Sequence, residues 1–155
     1  MVAKVFQNVT DIIDNYSGLS RKVLQYAVTT KELNEACKQP GFTDDIWDKH
    51  FSEFLDTENF LRIGHLKEEM DYPSYLEFQT KWAPKSYWEC SFKRISEVDN
   101  VVILELEERV QFDDFKNSVN TVSIYEFNEA GKVTHLDLYL QQAPQSPDDI
   151  PDNYK

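Results

Sequence analysis

The side chains that could move a proton in this chain are few and widely spaced. His65 closes an alternating run over residues 58–66, on the same side as Leu61 and Ile63. If that side faces a core, the imidazole is a workable general base near neutrality. At a strand end it could equally bond to backbone or solvent. Glu108 stands between Leu106 and Val110, on the face that carries Val102 and Leu104, where burial would fit a carboxyl for acid/base work. The opposite face holds Glu105, Glu107 and Arg109, and a register shift of one residue would turn those inward instead. His135 and Asp137 lie two apart on one strand face, about 7 Å along the backbone, a spacing that argues against a direct bond. Both are assigned to the outer side of a sheet.

Other chemistries lack their residues. The three histidines have no i, i+4 spacing, and Cys37 and Cys90 lie outside any CxxC pattern, so no metal site is expected. Both cysteines read as buried, reduced thiols. With four glycines and no glycine-rich phosphate loop, no nucleotide cradle is visible and no cofactor is expected. A net charge of −12 without a Lys/Arg cluster opposes nucleic acid and anionic lipid surfaces. No apolar run approaches the roughly 18 residues of a membrane span, and the first residues carry no leader-like core. The expectation is no membrane partner and a cytoplasmic location.

The elements that must position these groups follow from periodicity. At 155 residues, 41% hydrophobic and 14% aromatic, the chain suits one packed domain. Val23, Leu24, Ala27, Val28, Leu33 and Ala36 share a helical face over residues 20–38. The run Val28-Thr29-Thr30 and the capping-box spacing Thr29 to Glu32 predict a break or restart there. A short second helix from Thr43 would bury Trp47 and Phe51. A third, capped by Ser74 with Glu77, would run up to Pro84. Strands follow at residues 87–96, 101–112, 119–127 and 133–142, joined by polar turns. Helices first and a meander afterwards argue an α+β domain over residues 1–142. The acidic, proline-rich tail, residues 143–155, is expected to be mobile.

FNEAGKV, preceded by a strand and followed by the alternating THLDLYL, resembles the last hairpin of ketosteroid-isomerase-like and SnoaL-like proteins of the nuclear transport factor 2-like superfamily. The resemblance implies three N-terminal helices packed on a strongly curved antiparallel sheet, a cone whose hollow holds a hydrophobic ligand. Tyr26, in VLQYAV, matches the tyrosine that donates a hydrogen bond in the isomerase pattern. Ser123 stands where that pattern has a protonated aspartate, and residues 60–65 offer no carboxylate where it has its base. Steroid isomerisation by that arrangement is therefore not expected. By the same resemblance Ser123, Tyr125, Leu136, Leu138 and Leu140 face the ligand, and the outer sheet face with Val122, Ile124 and Tyr139 makes a homodimer. The expected function is binding of an apolar small molecule, with His65, Tyr26 and Glu108 as candidates for cofactor-free isomerisation, dehydration or cyclisation. The alternatives are a noncatalytic interaction module and a scaffold whose hollow is filled by its own side chains.

Overall fold

The computed structural model describes residues 7–154. Residues 1–6, on which the expectation of no leader partly rests, and Lys155 lie outside them. Four helices, α1 (Val9–Ile12), α2 (Gly18–Ala36), α3 (Asp45–Phe54) and α4 (Tyr72–Trp82), combine with six strands. These are β1 (Leu61–Ile63), β2 (Glu69–Asp71), β3 (Ser86–Val98), β4 (Val101–Phe112), β5 (Phe115–Phe127) and β6 (Val133–Gln142).

Helix α2 runs without a break through Val28-Thr29-Thr30, against the expectation of a restart. The Thr30 hydroxyl donates to the Tyr26 carbonyl one turn back at 2.7 Å, and Gln25 donates to the Thr29 hydroxyl at 3.3 Å, so both threonines satisfy themselves inside the helix. Helix α4 starts earlier than Ser74. Its cap is Asp71, whose carboxylate accepts the Ser74 amide at 3.0 Å, while Pro73 occupies the first turn, where a missing N–H costs nothing.

The strands form one sheet in the order β2-β1-β6-β5-β4-β3. It is curved and mixed: β1 runs parallel to β6, and every other neighbouring pair is antiparallel. Bulges at Phe92/Arg94 and Glu126/Phe127 add local twist and bend. Strand β1 is shorter than the alternation suggested, because the chain reverses over residues 64–68 into β2, a strand with too few residues to show a period. The Gly64 amide donates to the Glu68 carbonyl at 2.9 Å. A side chain on Gly64 would place its Cβ 1.8 Å from Glu68 Oε1, so only glycine lets the Glu68 carboxylate fold over this turn.

The core is assembled between the helices and one sheet face. Val23 and Leu24 of α2, Trp47 and Phe51 of α3, and Val102, Leu104 and Val133 of the sheet are all fully buried. The β5–β6 turn is fastened to the helices. Lys132 Nζ donates to the Ser52 and Glu53 carbonyls near the C-terminus of α3 at 2.7 and 2.8 Å, and Lys22 Nζ donates to the Gly131 carbonyl. A cation at a helix C-terminus also meets the negative end of its dipole. Residues 143–154 leave the sheet and form two single 3-10 turns, Pro147–Asp149 and Asp152–Tyr154. Among the described residues no helix is long and apolar enough to cross a membrane.

Candidate functional site

Register decides which groups enter the space under the helices. Glu108, Leu106 and Leu104 of β4 pair with Val119, Thr121 and Ser123 of β5, and Ser123 and Tyr125 pair with Leu138 and Leu136 of β6. Directly paired residues share a sheet face, so the even-numbered face of β4 is the inner one, and Glu105, Glu107 and Arg109 lie outside. The alternation in β4 left this open because both faces carry acids.

The inner face and helices α2 and α4 enclose a hollow of about 230 Å³. Leu104, Leu106, Val110, Leu136 and Leu138 wall it on the sheet side, Tyr26 and Ala27 on α2, and Tyr75, Phe78 and Trp82 on α4. Phe78 and Trp82 stack at 6.3 Å. The hollow is open space rather than a cavity plugged by its own side chains.

Into this apolar enclosure come a few polar groups. Glu108 accepts from the Thr121 hydroxyl at 2.7 Å and from the Trp88 indole N–H at 2.8 Å. One bond goes to each carboxylate oxygen, which fixes the group and leaves a lone pair on each free for a further donor. The Tyr26 and Tyr75 hydroxyls lie 3.5 Å apart. Burial pushes the Tyr26 hydroxyl well above the usual phenol range, with the Tyr75 and Tyr125 hydroxyls adding to it. Burial also raises Tyr125, reinforced by Tyr75 and Glu108 and opposed by Ser123 and Arg62. Both phenols therefore stay protonated and serve as hydrogen-bond donors. Two further groups, Arg62 and Gln79, line the same hollow and are only 9% and 6% exposed.

Of the residues singled out in the sequence, Tyr26, Glu108, Ser123, Tyr125, Leu136 and Leu138 line this one hollow. Leu140 pairs with Thr121 on the same face but lies beyond the hollow's lining. His65 is displaced altogether. It sits exposed in the turn after β1, beside Asp137 and Tyr139 in a broad depression of about 840 Å³ on the outer sheet face. The cause is the phase of β1: Arg62, paired with Leu136, takes the inner position, and the Leu61, Ile63, His65 side turns out. His135 and Asp137 also lie outside. Their side chains lean together, Nε2 to Oδ1 3.1 Å, closer than backbone spacing alone allows.

No protein-family signature matches the chain, and no curated protein matches it in sequence. Solved structures do match. A SnoaL-like polyketide cyclase from Jannaschia superposes with a TM-score of 0.58 at 12% identity over 81% of this chain and 90% of that one. The chain has the nuclear transport factor 2-like fold. A nuclear transport factor 2-like protein of unknown function from Cytophaga hutchinsonii (TM-score 0.52, 15% identity, 81% and 92% covered) and an LEH-like epoxide hydrolase of M. tuberculosis (0.54, 10%, 73% and 84%) share it. At these identities the likeness is one of fold.

Within this nuclear transport factor 2-like fold, sequence reading missed Tyr75, Arg62, Gln79 and Trp88 as site residues. Tyr75 and Gln79 lie one turn apart on α4 and Trp88 is an aromatic strand residue, patterns that fit a packed core as well as a pocket wall. Nothing in the local pattern marks Arg62, whose neighbours Leu61 and Ile63 claim the buried phase. Among the described residues no group of three or more His, Cys, Asp or Glu could hold a metal ion.

A second histidine supports the tyrosine wall. His50 stacks on Tyr26 at 4.9 Å between ring centroids, and its Nε2 lies 2.9 Å from the Thr30 hydroxyl. That hydroxyl already donates to the Tyr26 carbonyl, so Nε2 carries the hydrogen and Thr30 accepts. Burial pushes the imidazole down to about 4, with Glu53 opposing. A depressed folded value means the unfolded chain takes up a proton first as pH falls. Stability is thus full above the ordinary histidine value of about 6.5 and is lost down to about 4. Allowing for partial exposure, the loss is roughly 2 kcal/mol. Urea unfolding at about pH 7 and about pH 4.5 is expected to show this extra loss against His50→Gln, which keeps a donor to Thr30 but does not titrate. Equal slopes in the two proteins would remove His50 as the cause.

Proposed function

We propose that the hollow binds a compact, largely apolar molecule with a carbonyl or phenol oxygen, and that Glu108 exchanges a proton with it. The observation that carries this reading is a carboxylate fixed by Trp88 and Thr121 inside an apolar, aromatic enclosure. For a ketone, the α-carbon proton passes to the Glu108 carboxylate. The C–H electron pair becomes the enolate, and the developing oxyanion takes a hydrogen bond from the Tyr125 hydroxyl, with Tyr75 and Tyr26 behind it. Returning the proton to another atom of the ligand gives isomerisation; losing a β-hydroxyl as water gives dehydration; attack of the enolate carbon on a second carbonyl gives cyclisation. None of these steps calls on a cofactor.

The test uses cyclohexanone in heavy water, with replacement of its α-hydrogens by deuterium followed by NMR. Exchange above the buffer rate supports the reading. Binding without exchange leaves a binding protein without catalysis. Absence of both favours a noncatalytic interaction module on the same fold.

We place a second copy of the chain on the outer sheet face, where Val122 pairs with the 59% exposed Tyr139 and Ile103 pairs with Ile124. Aromatic and aliphatic side chains of this kind suit the centre of an interface. Sedimentation is expected to give a dimer that Tyr139→Lys weakens; a wild-type monomer at high concentration would remove the partner.

A further inference from the structure

The guanidinium of Arg62 is inside the protein, with the Glu68 carboxylate as its charge partner but few hydrogen bonds. It lies over the Tyr75 ring, 5.5 Å from the centroid. Its Nη1 is 3.6 Å from Glu68 Oε1 and 3.9 Å from the Met70 sulfur. The first distance is too long for a hydrogen bond and the second reaches only a weak acceptor. Nε and Nη2 have no acceptor among the described residues. Among the described residues the five N–H donors of a guanidinium therefore meet no oxygen at hydrogen-bonding distance, and Glu68 is held as an ion pair only. The N–H groups without acceptors are not sealed off from solvent, and the hollow that Arg62 lines is the space from which a ligand oxygen could reach them.

Gln79 adds a second unmet donor. Its side-chain amide makes no hydrogen bond to another described residue and is not sealed off from solvent, and Gln79 lies one turn along α4 from Tyr75, over which Arg62 sits. Glu108, the negative group of the hollow, is well removed. In the sheet order β1-β6-β5-β4 it is three strands from Arg62, and it lies further along β4 than Val102, the residue that the register sets across from Arg62 through Leu136 and Tyr125. The two ends of the hollow thus carry opposite charge.

We propose that the Arg62 and Gln79 end of the hollow is an anion subsite that takes the carboxylate of the ligand. The inference rests on the hollow being a ligand site and adds the ligand's class: a compact organic acid. The planar guanidinium fork matches a carboxylate in two parallel hydrogen bonds, with the Gln79 amide available to one of its oxygens. The apolar body then lies against Leu136, Leu138, Tyr125 and the α4 aromatics, and the far end points toward Glu108. In a protein of net charge −12 such a ligand is held by local geometry and not by the overall field.

Benzoate and benzamide, nearly identical in shape, separate this inference from the reading it rests on. Their binding is followed through the fluorescence of Trp82 and Trp88, which line the hollow. Benzoate is expected to bind at least about tenfold more tightly than benzamide, and Arg62→Met to reduce that ratio to about threefold or less. Glu68→Gln changes only a partly exposed group; by removing the competing charge it is expected to raise the ratio, and it tests the inference even if Arg62→Met does not fold. Equal binding of the two probes, or a benzoate preference that neither variant alters, overturns the anion subsite while leaving the hollow as a binding site. If neither probe binds, the hollow itself is not a ligand site and both readings fall.

Discussion

Replacing Glu108 with glutamine is expected to leave the fold and ligand binding in place and to lower proton exchange into a bound ketone by about two to four orders of magnitude. Glutamine suits the test because of what surrounds the carboxylate. Its carbonyl oxygen can still accept from the Trp88 indole, and its amide can donate to the Thr121 hydroxyl, which turns from donor to acceptor. The two bonds of 2.8 and 2.7 Å thus keep their partners, and only the capacity to take a proton is lost. Alanine would instead strand the partly buried Trp88 indole N–H and confound chemistry with stability. Heavy-water exchange and probe binding measured on the same samples distinguish the cases. Loss of both points to a structural role for Glu108, and retention of exchange removes it as the base.

Replacing Phe51 with alanine is expected to cost about 3–5 kcal/mol of unfolding free energy. Phe51 is fully buried, stacks on Tyr75 at 5.0 Å and 4° between planes, and lies 5.7 Å from Trp47 and 6.1 Å from Tyr26. It therefore backs two of the tyrosines that form the hollow, and the rings around it are stiff side chains that fill a cavity poorly. For a chain of this length each kcal/mol moves the melting temperature by about 2–4 °C, so thermal unfolding should fall by roughly 6–20 °C. The half-exposed Phe78→Ala is the control and should change stability by less than about 1 kcal/mol. A similar small change for Phe51→Ala would contradict the packing described for α3.

The parts legible in the sequence were those where one period dominates. Helix α2, the Trp47/Phe51 face of α3 and the leucine face of β6 all present one apolar side; the structure buries Val23, Leu24, Ala27, Trp47, Phe51 and Leu136 and leaves Val28, Leu33, Leu138 and Leu140 half-buried. The β5–β6 hairpin carried the fold because its turn and the alternation on both sides are local. The first strand was not legible in the same way. Leu61 and Ile63 are apolar, yet the buried position belongs to Arg62, because the outer sheet face also tolerates apolar groups and an inward cation leaves no periodic mark. The same error of one residue placed His65 inside. The anion end of the hollow depends on three elements, β1, α4 and the turn at Gly64, that meet only in three dimensions. The short β2 and the parallel pairing of β1 with β6 arise from long-range register, which no local window reports.

That parallel pairing bears on the order in which the protein can be made. Strand β6 lies between β1 and β5, so before it is in place the sheet exists as two separate pieces, the β1–β2 hairpin with its helices and the β3–β4–β5 meander. The strand that joins them is the last of the six to be synthesised. It carries Leu136 and Leu138 of the hollow and the turn whose lysine reaches back to α3. During translation the early helices can already cover part of their aromatic faces on β3, β4 and β5, as Tyr26 and Phe54 do against Tyr125 and Phe127, but closure of the sheet and completion of the ligand site both wait for β6 and are one event.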